Sequence, residues 1–340
     1  MRNFRKALIN TGIFLLIVTL TALPLPIFYF EYSMKNWTAT TDIIERNTYS
    51  GKITTLFSGA SHGLEAFVPA IYDEKLSAVS YNLCGTLQSM KGRYVLLKEE
   101  IERNPVDTVI LEVSFNSLSR NREDESAEGD LDVIRRLNSR SDKMEYAFKS
   151  LSLDEWAIAY YMTAHNGFSA IVEMITSDTD AELQKSLAAK GYLEAESNDL
   201  SLSTKEYSLQ HHTESVSEEI NPENIDYLNK IFELCRENDI QVIMVTIPLS
   251  DRMINRTDNL DVIRNYYVQI ATEQNCAYYD FNLWKGRKNL LSDKTDFYDD
   301  LHMSALGAQK FSKAFAELLA EENTLASAED YFYSSYAEIN

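Results

Sequence analysis

The chain has 340 residues, 45% of them hydrophobic and 25% charged, which is the profile of a folded protein long enough for one large α/β domain or two small ones. Lysine and arginine number 32 against 52 aspartates and glutamates, a formal charge of −20. So acidic a chain argues against nucleic acid as the main ligand, because phosphate binding needs clustered cations, and against attachment to anionic lipid by surface charge. Three cysteines (Cys84, Cys235, Cys276), with no CxxC pair and no Cys/His cluster, make neither a disulfide scaffold nor a zinc site. One disulfide stays open, and the odd count leaves at least one thiol outside any intramolecular pair.

In chain order, residues 1–6 carry Arg2, Arg5 and Lys6, and residues 7–30 carry no charge at all. As a helix the uncharged run rises roughly 36 Å, enough to cross a hydrocarbon core of about 30 Å. The preceding cations place the N-terminus in the cytoplasm by the positive-inside bias. The expectation is a single-pass transmembrane signal anchor over 7–30, broken near its outer end by Pro24 and Pro26, with everything downstream extracytoplasmic. A cleaved signal peptide is the alternative, but the run is long for one and no clean cleavage site follows. Residues 31–50 are polar and read as a stalk.

Five apolar runs rich in Val, Ile, Tyr and Thr follow: Lys52–Ser61, Leu76–Cys84, Thr108–Phe115, Gln241–Pro248 and Cys276–Asn282. They read as strands buried on both faces. Helical patterns lie between and after them over Gln88–Asn104, Glu223–Asn238, Leu260–Asn275 and Ser304–Glu321, with Asn221-Pro222 as N-cap and first helical residue of the second. The alternation predicts a parallel sheet with helices on both faces, in a domain spanning 51–322. Residues 117–223 interrupt the rhythm and read as an inserted cap. Within them Asp142–Ile175 is helical and apolar (Trp156, Tyr160, Tyr161, Met174), and Glu194–Glu219 is a Ser- and Glu-rich loop. Residues 323–340 form an acidic tail with Tyr331, Phe332, Tyr333 and Tyr336, either frayed or packed on the domain as a helix.

Chemistry concentrates in two places. Ser61 sits in Gly59-Ala60-Ser61-His62-Gly63, directly after the first of these strands. A serine on a sharp strand-to-helix turn can project its hydroxyl into the crevice beyond the strand's carboxyl end. GxSxG arises often by chance, however, and an ordinary N-cap serine explains it as well. The second place is Asp299-Asp300-Leu301-His302, just ahead of the last helix. An aspartate three residues before a histidine lets one loop present an imidazole and the carboxylate that orients it. The alternative there is a capping cluster with Ser304 as N-cap; Asp300 would replace Asp299 only if the loop bent differently. A serine after the first strand together with Asp-x-x-His near the end of an α/β domain is much rarer than either alone.

With these residues the sequence resembles the SGNH (GDSL-like) hydrolase family. Gly59-Ala60-Ser61-His62 is similar to its nucleophile block and Asn82-Leu83-Cys84-Gly85 to its second block. Ser114-Phe115-Asn116-Ser117 is similar to its third, and Asp299-Asp300-Leu301-His302 to its last. Ala60 stands where the family usually has aspartate, and Ser114 and Ser117 where it has glycine and aspartate. The resemblance implies a three-layer α/β/α flavodoxin-like fold with about five parallel strands, the long helical insertion falling between strands 3 and 4. It also implies Ser61 as nucleophile, His302 as base, Asp299 as its partner, and an oxyanion hole from the Ser61 and Gly85 backbone N–H groups and the Asn116 amide. No metal or cofactor is implied. Blocks this divergent are similar to those of membrane-anchored proteins of polysaccharide O-acetylation and teichoic-acid D-alanylation. That likeness implies acyl transfer or deacylation on an acylated carbohydrate or envelope polymer of a bacterial cell, beside a multi-pass membrane acyltransferase. A non-catalytic scaffold of the same fold, binding glycan or the acyltransferase, is the competing reading. An α/β-hydrolase would place several strands before its serine, and only one precedes Ser61.

The remaining histidines read as structural. His62 either satisfies its own turn or touches substrate, His165 lies in an apolar helical stretch, and His211-His212 is a solvated pair in a polar loop. Asn36-Trp-Thr and Asn255-Arg-Thr match the glycosylation sequon, a pattern without meaning in a bacterial chain.

Overall fold

The five apolar runs pair into one parallel sheet in the computed structural model, which describes residues 6, 9–17, 37–119, 127–157, 187–195, 215–321 and 330–339. The strands are β1 (Thr55–Ser58), β2 (Ser80–Asn82), β3 (Thr108–Glu112), β4 (Gln241–Thr246) and β5 (Ala277–Asp280), in the order β2-β1-β3-β4-β5. Each lies inside the run that predicts it. Consecutive residues point to opposite faces. Leu56, Val109, Leu111 and Met244 therefore enter one apolar cluster, and Phe57, Ile110, Ile243 and Val245 the other.

Helices cover both faces. They are α1 (Trp37–Tyr49), α2 (Ser61–Leu64), α3 (Pro69–Leu76), α4 (Met90–Arg103), α5 (Ala127–Arg136), α6 (Arg140–Ser150), α7 (Pro222–Glu237), α8 (Asp251–Arg256), α9 (Leu260–Gln274), α10 (Arg287–Leu290) and α11 (Ala305–Glu321). Leu97 of α4, Phe232 of α7 and Tyr267 of α9 fill the first cluster; Tyr72 of α3 and Phe311 and Phe315 of α11 fill the second. The start of α7 follows its sequence signal, with Asn221 Oδ1 accepting the Glu223 N–H at 2.9 Å and Pro222 at the first position. Ser58 pairs with Leu111 and Glu112 with Val245, so the carboxyl ends of β1, β3 and β4 share one edge. The chain leaves β1 toward β2 on one side and returns to β3 on the other. In such sheets the crevice beyond the carboxyl ends at this reversal is where ligands bind.

Several expectations need correction or fall outside the described residues. The described part of the expected 31–50 stalk is helix α1, and its charged residues are inside: Asp42, Glu45 and Arg46 are buried. Arg46 holds Asp42 at 2.9 Å, Glu99 at 3.1 Å and Glu100 at 2.6 Å, and Arg136 of α5 holds Asp42 at 3.2 Å. Polarity marks a solvent-exposed segment only when the charges lack buried partners, and here the fold supplies them. Of the expected anchor over 7–30, residues 9–17 are helical and residues 7, 8 and 18–30 lie outside the described set. Among the described residues no helix is long and apolar enough to cross a membrane.

In the insertion, α5 braces the turn after β2: Arg136 donates to the carbonyls of Leu83 and Cys84, both at 3.0 Å. The expected helix over Asp142–Ile175 is α6 with a short helical stretch at 153–157. Residues 158–175, with His165, and the His211-His212 pair lie outside the described residues. At the C-terminus, 330–339 is neither frayed nor a regular helix. Phe332 bridges to Trp284 and packs on Phe281 and Tyr279, and Tyr336 Oη donates to Asp280 Oδ2 at 2.9 Å.

Burial pushes the Asp280 carboxyl up to about 6, against hydrogen bonds from Tyr336 and Asn282 that favour its charged form. Its folded value lies above its unfolded one, so its contribution to stability is complete below about pH 4 and is lost as pH rises through 6. Asp280→Asn is therefore expected to raise the unfolding temperature at pH 8 and to lose that advantage by pH 4. Thermal melts across this range check it, and a lower melting temperature at pH 8 would contradict it.

Candidate active site

The chain turns sharply after β1. A Cβ on Gly59 would lie 2.6 Å from Glu112 Cβ and 2.7 Å from Glu112 Oε2, so only glycine lets β1 end this close to β3. Gly59→Ala is expected to cost about 2 kcal/mol or more through overpacking, measured by urea unfolding; a wild-type midpoint would show that Glu112 moves freely. The next residue, Ala60, donates its N–H to Glu112 Oε2 at 2.9 Å. Ser61 then opens α2, where its N–H has no intrahelical acceptor.

His302 and Asp299 lie in the loop before α11. The loop is closed by the Phe297–Met303 bridge and by the Tyr298 N–H on the His302 carbonyl at 3.2 Å. Asp299 Oδ1 accepts the N–H groups of Leu301 and His302, each at 2.7 Å, which fixes the carboxylate. Its other oxygen lies 2.8 Å from His302 Nδ1, and His302 Nε2 lies 2.9 Å from Ser61 Oγ. Ser304 does cap α11, accepting the Gly307 N–H at 3.2 Å, so capping and the Ser61–His302–Asp299 chain coexist in one segment. Asp300 points elsewhere: it binds Arg252 Nε at 2.5 Å, Arg256 Nη1 at 3.1 Å and Ser250 Oγ at 2.9 Å.

Burial works against the charged imidazole of His302. The hydrogen bond and charge of Asp299, with the carboxylates of Glu65 and Glu112 behind it, outweigh burial and hold His302 above its ordinary value. Asp299 shows the converse: burial opposes its charge, but His302 and two backbone N–H groups bring it below the usual carboxylate range. Tyr298 stacks on the His302 ring at 5.5 Å between centroids, and burial raises the Glu65 carboxyl beside it despite a hydrogen bond from Tyr298. If His302 acts as a base it must be neutral. The acid limb of kcat/KM is then expected above pH 6.5, the ordinary imidazole value, and a pH profile with a limb below 6 would remove His302 from that role.

The oxyanion donors expected from the sequence are placed less simply. The Gly85 N–H is engaged with the Gly59 carbonyl at 3.2 Å. Asn116 Oδ1 accepts from Ser114 Oγ at 2.8 Å, so the nitrogen end of that amide is directed away from this contact. Glu112, Glu65 and Tyr298 surround His302 without belonging to any of the four sequence blocks. Glu112 carried a usable signal, a lone acid closing the otherwise uncharged run TVILEVSF.

No family model and no curated protein matches the chain. Solved structures do, at low identity. A GDSL-like lipase from Bacteroides thetaiotaomicron is 9% identical, with a TM-score of 0.38 over 84% of this chain and 98% of that one. A protein from Streptococcus pneumonia described as a platelet activating factor is 12% identical, with a TM-score of 0.37 over 84% and 95%. A protein from Bacteroides fragilis described as an acylhydrolase is 11% identical, with a TM-score of 0.36 over 85% and 99%. The chemistry of the site rests on the residues of this chain.

Proposed function

We propose that the chain is a serine acyl-ester enzyme of the SGNH type, an esterase or O-acyltransferase. The observation that supports this most directly is the unbroken contact Asp299–His302–Ser61, with steps of 2.8 and 2.9 Å, at the carboxyl edge beside the β1/β3 reversal. His302 Nε2 takes the Ser61 proton as Oγ attacks the ester carbonyl, and returns it to the departing alkoxide. Asp299 keeps the Nδ1–H tautomer and favours the imidazolium. The Ser61 N–H and the Asn116 amide stabilise the oxyanion, and Gly85 joins them where its bond to the Gly59 carbonyl opens. Water as acceptor releases the acid; a sugar hydroxyl completes a transfer.

The uncharged run 7–30 supports a membrane-anchored enzyme working outside the cytoplasm. The sequence likeness supports an acylated envelope polymer as substrate and a multi-pass membrane acyltransferase as partner. The engaged Gly85 N–H favours a second reading, a non-catalytic scaffold that keeps the fold and binds glycan. Fluorophosphonate labelling of the full-length chain in detergent decides between them. Modification of Ser61 that depends on His302 supports the enzyme; no labelling of folded protein supports the scaffold.

A further inference from the structure

Glu112 is a fully buried carboxylate at the end of β3, and the proposed mechanism does not use it. Burying a charge is costly unless partners compensate. Arg93 of α4 supplies part of the compensation, with Nη2 at 3.3 Å from Glu112 Oε2 and Nη1 donating to the Glu112 carbonyl at 2.6 Å. The strongest remaining contact of Oε2 is the Ala60 N–H at 2.9 Å, on the residue directly before Ser61. The other oxygen, Oε1, has no hydrogen-bond partner and stands 3.8 Å from His62 Nδ1. The His62 ring in turn meets the His302 ring edge-on, at 5.1 Å between centroids.

We propose that Glu112 is a positioning residue of the Ser61 centre: its Ala60 contact fixes the turn that carries the nucleophile, and its charge, reaching past His62, stabilises the His302 imidazolium formed during attack. The inference rests on the triad reading above. The groups that face His302 are Asp299 and Tyr298 from its own loop, Ser61, His62 and Glu65 from α2 and its end, and Glu112 from β3. Arg93 sits behind Glu112 and opposes it. Of these, Glu112 is the one whose carboxylate both accepts the backbone N–H directly before Ser61 and adds its charge to the balance around the imidazole. In a water-poor site a fixed charge acts strongly over such distances.

The test is Glu112→Gln in the full-length chain. The amide keeps an acceptor for the Ala60 N–H and removes only the charge. The His302 imidazole is followed by NMR, assigned with His62→Gln and His302→Gln spectra. The expected result is a His302 titration displaced to lower pH, an acid limb of kcat/KM that moves with it, and kcat reduced about tenfold with KM unchanged. A folded Glu112→Gln protein whose His302 titrates as in wild type overturns the proposal. If the unpaired Arg93 cation prevents folding, Arg93→Gln/Glu112→Gln replaces the ion pair by a neutral pair, and a smaller displacement in the same direction is expected. An unmoved titration in that variant overturns the proposal equally. Failure of wild-type Ser61 to label with fluorophosphonate would bring down the catalytic reading and this role with it; labelling without a displaced titration brings down this role alone.

Discussion

Ser61→Ala is expected to abolish turnover of an aryl acetate, with kcat reduced by about 10⁴-fold or more, while the unfolding temperature stays near that of wild type. Both halves follow from the site. The hydroxyl makes the contact with His302 Nε2 at 2.9 Å and is the only part of the residue lost. The turn itself is held by other groups: the Ala60 N–H on Glu112 and the Leu64 N–H on the Ala60 carbonyl at 3.0 Å. Ser61 is half-buried, so a methyl group in its place leaves no large cavity. His302→Ala should cost nearly as much, and the double variant little more than either, because nucleophile and base act as a unit. Turnover by Ser61→Ala within a few-fold of wild type, in pure enzyme, would end the catalytic assignment.

Arg46→Met is expected to lower stability by about 3–5 kcal/mol, the largest loss of fold in any single substitution considered. Arg46 has no exposed surface. It donates to Asp42, Glu99 and Glu100 and to the Arg136 carbonyl, so its removal leaves several buried carboxylates short of a partner. Burial would raise Asp42, but Arg136 and Arg46 together hold it below the usual carboxylate range. A group whose folded value is depressed contributes stability above its unfolded value and loses it as pH falls through the folded one. The deficit of Arg46→Met should therefore be full at pH 7 and shrink toward pH 3, as the orphaned carboxylates take up protons in the variant. Urea unfolding at both pH values measures it. A loss below about 1 kcal/mol at pH 7 would mean that the network is solvated, as exposed pairs are.

The same network reaches the site. Arg136 completes the Asp42 pairing and also holds the carbonyls of Leu83 and Cys84, next to Gly85. A Cβ on Gly85 would lie 2.6 Å from Arg136 Nη1, so a side chain there would push on the guanidinium that holds this turn. Helices α1 and α5, from the segments that read as a stalk and a cap, thus meet at a brace behind the turn after β2. Loss of α1 would be felt at the Gly85 turn through Arg136.

The layered architecture is legible in the chain's own pattern. Five apolar β-rich runs separated by helical patterns admit little but a parallel sheet covered on both faces, because each strand must bury two faces and each crossover needs a helix. Helix ends with local chemistry, such as Asn221-Pro222 and Ser304, were legible for the same reason: a cap satisfies amides only a few residues away. Asp299 and His302 also fall within one loop, so their contact is a local matter. Contacts between residues far apart in the chain have no such local signal. Ser61 and His302 are 241 residues apart, and the 2.9 Å between them exists because α11 docks on the segment after α2, Ser312 bonding the Val68 N–H and the Ala66 carbonyl. The choice of Asp299 over Asp300 rests on Ser250, Arg252 and Arg256 claiming the second carboxylate. The burial of Arg46, 53 and 54 residues from Glu99 and Glu100, has no local signature, since an isolated charge reads as solvated until the fold supplies its counter-charge. Glu112 belongs to the same class: a strand pattern can flag a lone acid, but only packing places its oxygens on the Ala60 N–H and near His62.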